Sequence, residues 1–220
     1  MKGSEIRANV LSVKIISNCD LALLNSLKAP KEHRCIGIIT TDIDDVSYAA
    51  LDEATKKADV KVVYAQSMYA GSSNASTKFA GEFIGIISGE TPSEVQSGLD
   101  AAINFIEYDS CFYSANSTDD VVFFAHCISR TGSYLSKQAK VSEGTSMAYL
   151  IAPPLEAVFA LDAALKVADV SLKVFYGPPT QTNFAGGLLV GEQSACKSAC
   201  DAFADAVCFS AENPLEYYRR

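Results

Sequence analysis

Three aspartates crowd one short stretch of this 220-residue chain: Asp42, Asp44 and Asp45, in TTDIDDV at 40–46. They fall where a strand should end and a helix begin. One reading is capping, because a carboxylate at a helix N-terminus accepts backbone N–H bonds and suits the helix dipole. A second copy of the surrounding pattern argues against capping as the full account. Its matching stretch, Ala152-Pro153-Pro154-Leu155, starts a helix with no acid at all. Glu82 adds a fourth carboxylate, placed by the pattern in the apolar strand AGEFIGIIS, where the second copy has Gly187. An acid in such a strand needs a partner. The net charge of −8 favours small cations or amines as partners. It lacks the basic footprint that nucleic acid requires.

Other reactive residue types are scattered. His33 and His126 lie in different halves, and no G-x-S-x-G, H-E-x-x-H, phosphate-binding loop or G-x-G-x-x-G accompanies them. The chain is therefore not expected to be an enzyme, and no cofactor is expected. Cys196 and Cys200 have a spacing that could hold a metal. The second copy aligns them with Val95 and Leu99, so both are expected in the core and no metal is expected. Cys111 and Cys127 match no apolar position and are candidate reactive thiols. Seven cysteines without a signal-peptide pattern predict no disulfide framework. No apolar run approaches the roughly 18 residues that span a bilayer, so the prediction is a cytoplasmic protein with no membrane contact.

The elements that must position these residues occur twice. LDEATKKADV at 51–60 returns as LDAALKVADV at 161–170. Period-two and period-3.6 patterns predict strands near 9–16, 35–41, 59–66 and 80–88, with helices at 45–58 and 91–107. The second half repeats the order with strands near 120–127, 146–152, 169–175 and 185–191, and helices at 154–168 and 192–209. Thr91-Pro92 and Pro153-Pro154 mark helix starts. FAG at 79–81 and 184–186 adds a further match. The expectation is two ββαββα domains, 1–108 and 109–220, each a mostly antiparallel sheet flanked by helices.

The halves differ in their loops. Residues 67–79 are long and rich in Gly, Ser and Asn, whereas 176–184 are short and carry two prolines. Residues 108–119 set three aromatics in a polar linker, and ISRTGSYLSKQAKVSEGT reads as an insert peculiar to the second half. Long polar loops with exposed aromatics are expected to bind or gate. On the residues alone, a soluble trimeric ferredoxin-like ligand-binding or signalling protein remains an alternative.

DDVSYAALDEATK (44–56), YAG (69–71), RTGSYLS (130–136), MAYLIAPPLEA (147–157), ALDAALKVADVSL (160–172) and VGEQSACKSACDAFADAV (190–207) carry a resemblance. Together they resemble the tandem-domain class of bacterial microcompartment (BMC) shell proteins, specifically those of ethanolamine utilisation. The resemblance implies an α/β (α+β) fold of two tandem, permuted BMC-type domains. It implies a homotrimer that imitates a hexamer, joins other shell proteins in a microcompartment shell in the cytoplasm, and has a gated central pore. It also implies small pores that bind and conduct ethanolamine. Carried over by position, the ethanolamine site falls on Asp44, Asp45, Glu82, Phe112, Tyr113, Thr182 and Asn183, and the gate on Tyr69, Ala70, Gly71 and Phe112.

Overall fold

The computed structural model describes residues 3–68, 81–178 and 180–216. From the N-terminus the chain forms β1 (Glu5–Ile6), β2 (Val10–Ile16), α1 (Leu21–Ser26), β3 (Cys35–Thr41), α2 (Asp44–Lys57), β4 (Val60–Ser67), β5 (Phe83–Gly89) and α3 (Pro92–Asn104). A π-helical turn, Phe105–Asp109, follows α3. Then come β6 (Phe112–Ser114), β7 (Val122–Ile128), α4 (Ser133–Ala139), β8 (Met147–Ala152), α5 (Pro154–Val167), β9 (Val170–Tyr176), β10 (Ala185–Gly191) and α6 (Gln193–Glu212).

Two compact units result. The first joins Arg7–Ser110 to Thr131–Glu143 and contains a four-stranded sheet in the order β2-β3-β5-β4. The second joins Met1–Ile6, Cys111–Arg130 and Gly144–Arg220, with a six-stranded sheet in the order β1-β6-β7-β8-β10-β9. All pairings are antiparallel. The four shared strands follow one order, so the repeat read in sequence is a repeat of topology. Strand register reproduces even its irregularity. β4 bulges at Val63 and β9 at Lys173, the same place in the ladder against β5 and β10.

Helices cover one face of each sheet. In the second unit α5 and α6 bury Ala157, Ala160, Leu161, Ala164, Cys196, Ala199, Cys200 and Phe203 against Phe123, Ala148 and Leu150. Cys196 and Cys200 thus serve as small apolar side chains, as their alignment with Val95 and Leu99 implied. In the first unit Thr91 caps α3 by accepting from the Glu94 N–H at 3.2 Å, with Pro92 in the first turn. Among the described residues no helix is long and apolar enough to cross a membrane.

The structure corrects three expectations. The stretch after β7 is not an insert: 17–34 and 129–146 are equally long, and each holds a short helix. α1 and α4 are each followed by a left-handed lysine, Lys28 and Lys140, both at φ 54°. The FAG match does not reflect the fold either. β5 and β10 lie 102 residues apart, so Glu82 corresponds to Phe184 and Gly187 to Gly85. Glu82 itself sits in the bend before β5 rather than within the strand. Finally, Phe112 is not an exposed linker aromatic. It lies in β6, 4% exposed, stacked on Phe124 at 5.3 Å.

Candidate acidic site at the start of helix α2

The turn between β3 and α2 is held by hydroxyls. Thr41 Oγ1 donates to the Ile43 carbonyl at 3.0 Å and lies 2.6 Å from Ser47 Oγ, which donates to the same carbonyl at 2.7 Å. Ile43, the N-cap residue of α2, has no side-chain capping bond. Asp44 and Asp45 follow in the first helical turn, nearly buried, and Asp44 Oδ1 accepts from the Asp45 N–H at 2.9 Å. Asp44 thus accepts one N–H of the helix start, as the capping reading expects, but from inside the first turn rather than from the N-cap position. Asp42 has a separate task. Its two oxygens accept from the Asn9 backbone N–H and side-chain amide, each at 2.7 Å, and hold the approach to β2.

Glu82 reaches this turn through its backbone, donating its N–H to the Thr41 carbonyl at 2.9 Å and accepting from the Met68 N–H at 2.7 Å. Burial pushes its carboxyl above the ordinary glutamate value, and the charges of Asp44 and then Asp42 push it further. The charges that add to the burial effect are thus both carboxylates. Tyr48 stands beside the same acids. Its hydroxyl lies 2.8 Å from Ser67 Oγ, and its ring meets Phe83 edge-on at 4.8 Å. Burial raises the Tyr48 phenol, the Ser67 bond opposes this, and Asp44 and Asp45 add to the rise. Sequence reasoning missed Tyr48 because its hydroxyl partner is a strand away.

This arrangement concentrates negative charge at one turn and leaves Glu82 partly accessible. Carboxylates so placed suit a cation that donates hydrogen bonds, and an ammonium offers three donors. Among the described residues no group of three or more His, Cys, Asp or Glu is disposed to hold a metal ion.

The remaining expected site residues lie in the second unit. Tyr113 packs on Phe123 at 6.0 Å, and Phe112 meets Phe184 edge-on at 6.0 Å. Thr182 and Asn183 occupy a tight turn closed by the Asn183 N–H donating to the Thr180 carbonyl and the Thr180 N–H to the Phe184 carbonyl, each at 3.2 Å. Asn183 is left-handed, φ 63°. The gate residues Tyr69, Ala70 and Gly71 lie outside the described residues. Cys111 is buried, whereas Cys127 is partly exposed on β7. His33 is buried with Nδ1 2.8 Å from the fully buried Ser88 Oγ, a pair that substrate cannot reach. His126 stacks on Phe124 at 5.7 Å.

Comparison with known proteins gives the family and the fold. A family model described as the BMC domain matches residues 35–117. The bacterial microcompartment shell protein EutL of Clostridium perfringens (strain 13 / Type A) is 60% identical over 217 residues, covering 99% of this chain and 100% of that protein. The EutL shell protein of Escherichia coli (strain K12) is 47% identical over 211 residues, with 96% of each covered. A crystal structure of ethanolamine utilization protein EutL from Leptotrichia buccalis C-1013-b superposes with a TM-score of 0.95 at 64% identity, covering 98% of this chain and 99% of that one.

Proposed function

The chain belongs to the EutL family of bacterial microcompartment shell proteins, and from that premise we propose that three copies close into a pseudohexameric shell tile. It is a structural protein and not an enzyme, as its relatives are shell proteins. The observation that carries the trimer is an unpaired repeat. Within the first unit α4, from the second half of the chain, packs on α2. Tyr134 stacks on Tyr48 at 6.3 Å, and the Ser133 N–H donates to Thr55 Oγ1 at 3.1 Å. The repeat-equivalent faces are α1 and α5, where Leu21 and Leu23 stand for Ser133 and Leu135, and Val158 and Leu165 for Tyr48 and Thr55. All four are exposed, by 58, 44, 48 and 37%. Docking α1 of one chain onto α5 of the next is a head-to-tail contact, which closes after three chains if six equivalent halves share one ring.

Sedimentation of the purified chain tests this. Three chains of 23.5 kDa, about 70 kDa in all, are expected. Val158→Glu and Leu23→Glu should each give monomers, because a charge buried in the contact is left unpaired. A monomeric parent protein, or trimers that tolerate both charges, would overturn the reading.

The acidic turn supports ethanolamine as the ligand, held by Asp44, Asp45 and Glu82. A tile of this kind also joins other shell proteins at its edges. Ethanolamine has four non-hydrogen atoms, so a ceiling of ~1.5 kcal/mol each limits binding to about 6 kcal/mol. Its dissociation constant can then be no tighter than tens of micromolar. Asp44→Asn and Glu82→Gln should each weaken binding about tenfold or more in a calorimetric or NMR titration. Undiminished affinity in both would remove these residues from the site. The pH dependence has a definite sign. The raised Glu82 carboxyl must be ionised to accept the ammonium, while an aliphatic ammonium keeps its proton to about pH 10. Affinity should therefore fall with decreasing pH at a higher pH than an ordinary glutamate would give, and Glu82→Gln should flatten that fall.

A further inference from the structure

We propose that Cys127 is a modification site, the entry thiol of a Cys127–Cys196 dithiol that low-molecular-weight disulfides oxidise. All seven cysteines are described, and Cys127 is the one that is not buried. It lines an open groove on the second unit together with Glu192, Gln193, Ser194 and Lys197, at the beginning of α6. Cys196 is fully buried one turn along the same helix.

Strand register and helix packing bring the two side chains to one face of the sheet. Cys127 on β7 pairs directly with Ala148 on β8, so their side chains project from the same face. That face carries α6: Ala148 and Cys196 belong to one core cluster, and Cys127 packs against its edge. The two thiols also converge on one turn of backbone. Cys127 Sγ donates to the Gln193 carbonyl at 3.7 Å and Cys196 Sγ to the Gly191 carbonyl at 3.6 Å. Each is close enough to the other that a charge on Cys127 raises Cys196. Geometry thus supplies an accessible thiol with a second, protected thiol behind it.

The chemistry balances in two exchanges. The Cys127 thiolate attacks a small disulfide, forming a mixed disulfide at its Sγ as one small thiolate leaves. The Cys196 thiolate then attacks Cys127 Sγ. The Sγ–Sγ bond forms, the mixed bond breaks and the second small thiolate leaves. The small disulfide gains two electrons and two protons and becomes two thiols, and the cysteine pair loses them. Burial pushes the Cys127 thiol above its ordinary value; Lys197 of α6 opposes this and Asp201 of the same helix adds to it, so accessibility rather than a lowered pKa makes Cys127 the entry thiol. Burial, then Cys127, pushes the Cys196 thiol up, and Glu192 beside the groove adds to the rise.

Glutathione disulfide added to the native protein, followed by peptide mass mapping, tests the assignment. The expected product is a Cys127–Cys196 crosslink, with Cys127 reacting about tenfold faster or more than any other cysteine. Cys196→Ser should stop at the mixed disulfide on Cys127, and Cys127→Ser should leave Cys196 reduced. Because Cys127 is only partly buried, its serine variant keeps the fold, which circular dichroism verifies. A lasting mixed disulfide in the parent protein would overturn the pairing. Equal labelling of Cys111 or another cysteine, or no reaction at Cys127, would overturn the site. Neither outcome bears on the trimer or on ethanolamine binding.

Discussion

Replacing Asp52 with alanine will destabilise the protein by about 2–3 kcal/mol and loosen α4, while the same change at Asp162 will stay within about 0.5 kcal/mol of neutral. The two aspartates hold the same position in LDEATKKADV and LDAALKVADV, yet they do different work. Asp52 is fully buried, and its carboxylate accepts from the Gly132 N–H at 2.7 Å and the Leu135 N–H at 2.8 Å. Gly132 is the N-cap residue of α4, with no capping side chain of its own, and Leu135 is in the helix's first turn. Asp52 therefore performs a capping role from another helix, and Thr55 serves the Ser133 N–H between them. Removing the carboxylate strands two buried donors, each worth roughly 1–3 kcal/mol. Gly132 cannot take a side chain in compensation, since a Cβ there would lie 2.5 Å from the Asp52 carbonyl oxygen. Asp162 is exposed and bonded only to Lys166 at 2.6 Å, and the equivalent helix α1 is capped by its own Asp20, which accepts from the Ala22 N–H at 2.8 Å.

The acid dependence carries a second signature. Burial pushes the Asp52 carboxyl above its ordinary value despite the Gly132 and Leu135 bonds and Lys56. A folded pKa above the unfolded one gives stability that is complete below the unfolded value and lost as pH rises through the folded value. The gap between the parent protein and Asp52→Ala should therefore widen as pH is lowered through that window, opposite to an ordinary paired carboxylate. Melts across pH 7 to 4 measure the gap, and exchange of the Gly132 and Leu135 amides measures the loosening.

Asp52 also shows what a sequence exposes and what it hides. The phrase around it was legible as a helix entering a strand, because its apolar spacing spans a full helix and β-branched residues follow. The partner helix was not. SYLSKQA and LALLNS are seven and six residues long, and so short a segment has no measurable period. Both consequently read as loop, and the second half's copy as an insert. The acid cluster was visible by residue type, since three aspartates exceed what a helix start needs. The position of Glu82 was not, because a chance FAG match shifted the alignment by three residues and only ladder register corrects it. Phe112 looked exposed for a similar reason: Phe124 and Phe184, which cover it, are remote in sequence. Cys127 and Cys196 both stand out by residue type, but their common face depends on a strand pairing that no local pattern reports.

Substituting Gly81 should cost about 3 kcal/mol or more, a fall in Tm of roughly 6–12 °C, and should weaken ethanolamine binding as well. Gly81 is left-handed at φ 64°, and a Cβ on it would lie 2.0 Å from the Thr41 carbonyl oxygen. That same oxygen accepts from the Glu82 N–H, so any shift that relieves the clash moves Glu82 away from Asp44. The corresponding residue in the second half, Asn183, adopts φ 63° but is exposed. This pair separates two causes. If left-handed backbone were the whole constraint, Gly81→Asn would be tolerated, because asparagine visits that region readily. The close approach to Thr41 instead makes Gly81→Asn nearly as damaging as Gly81→Ala, while Asn183→Gly should cost only backbone entropy, under about 1 kcal/mol. Thermal melts of the three variants decide the matter, and a Gly81→Asn protein as stable as its parent would show that the acid turn does not depend on that contact.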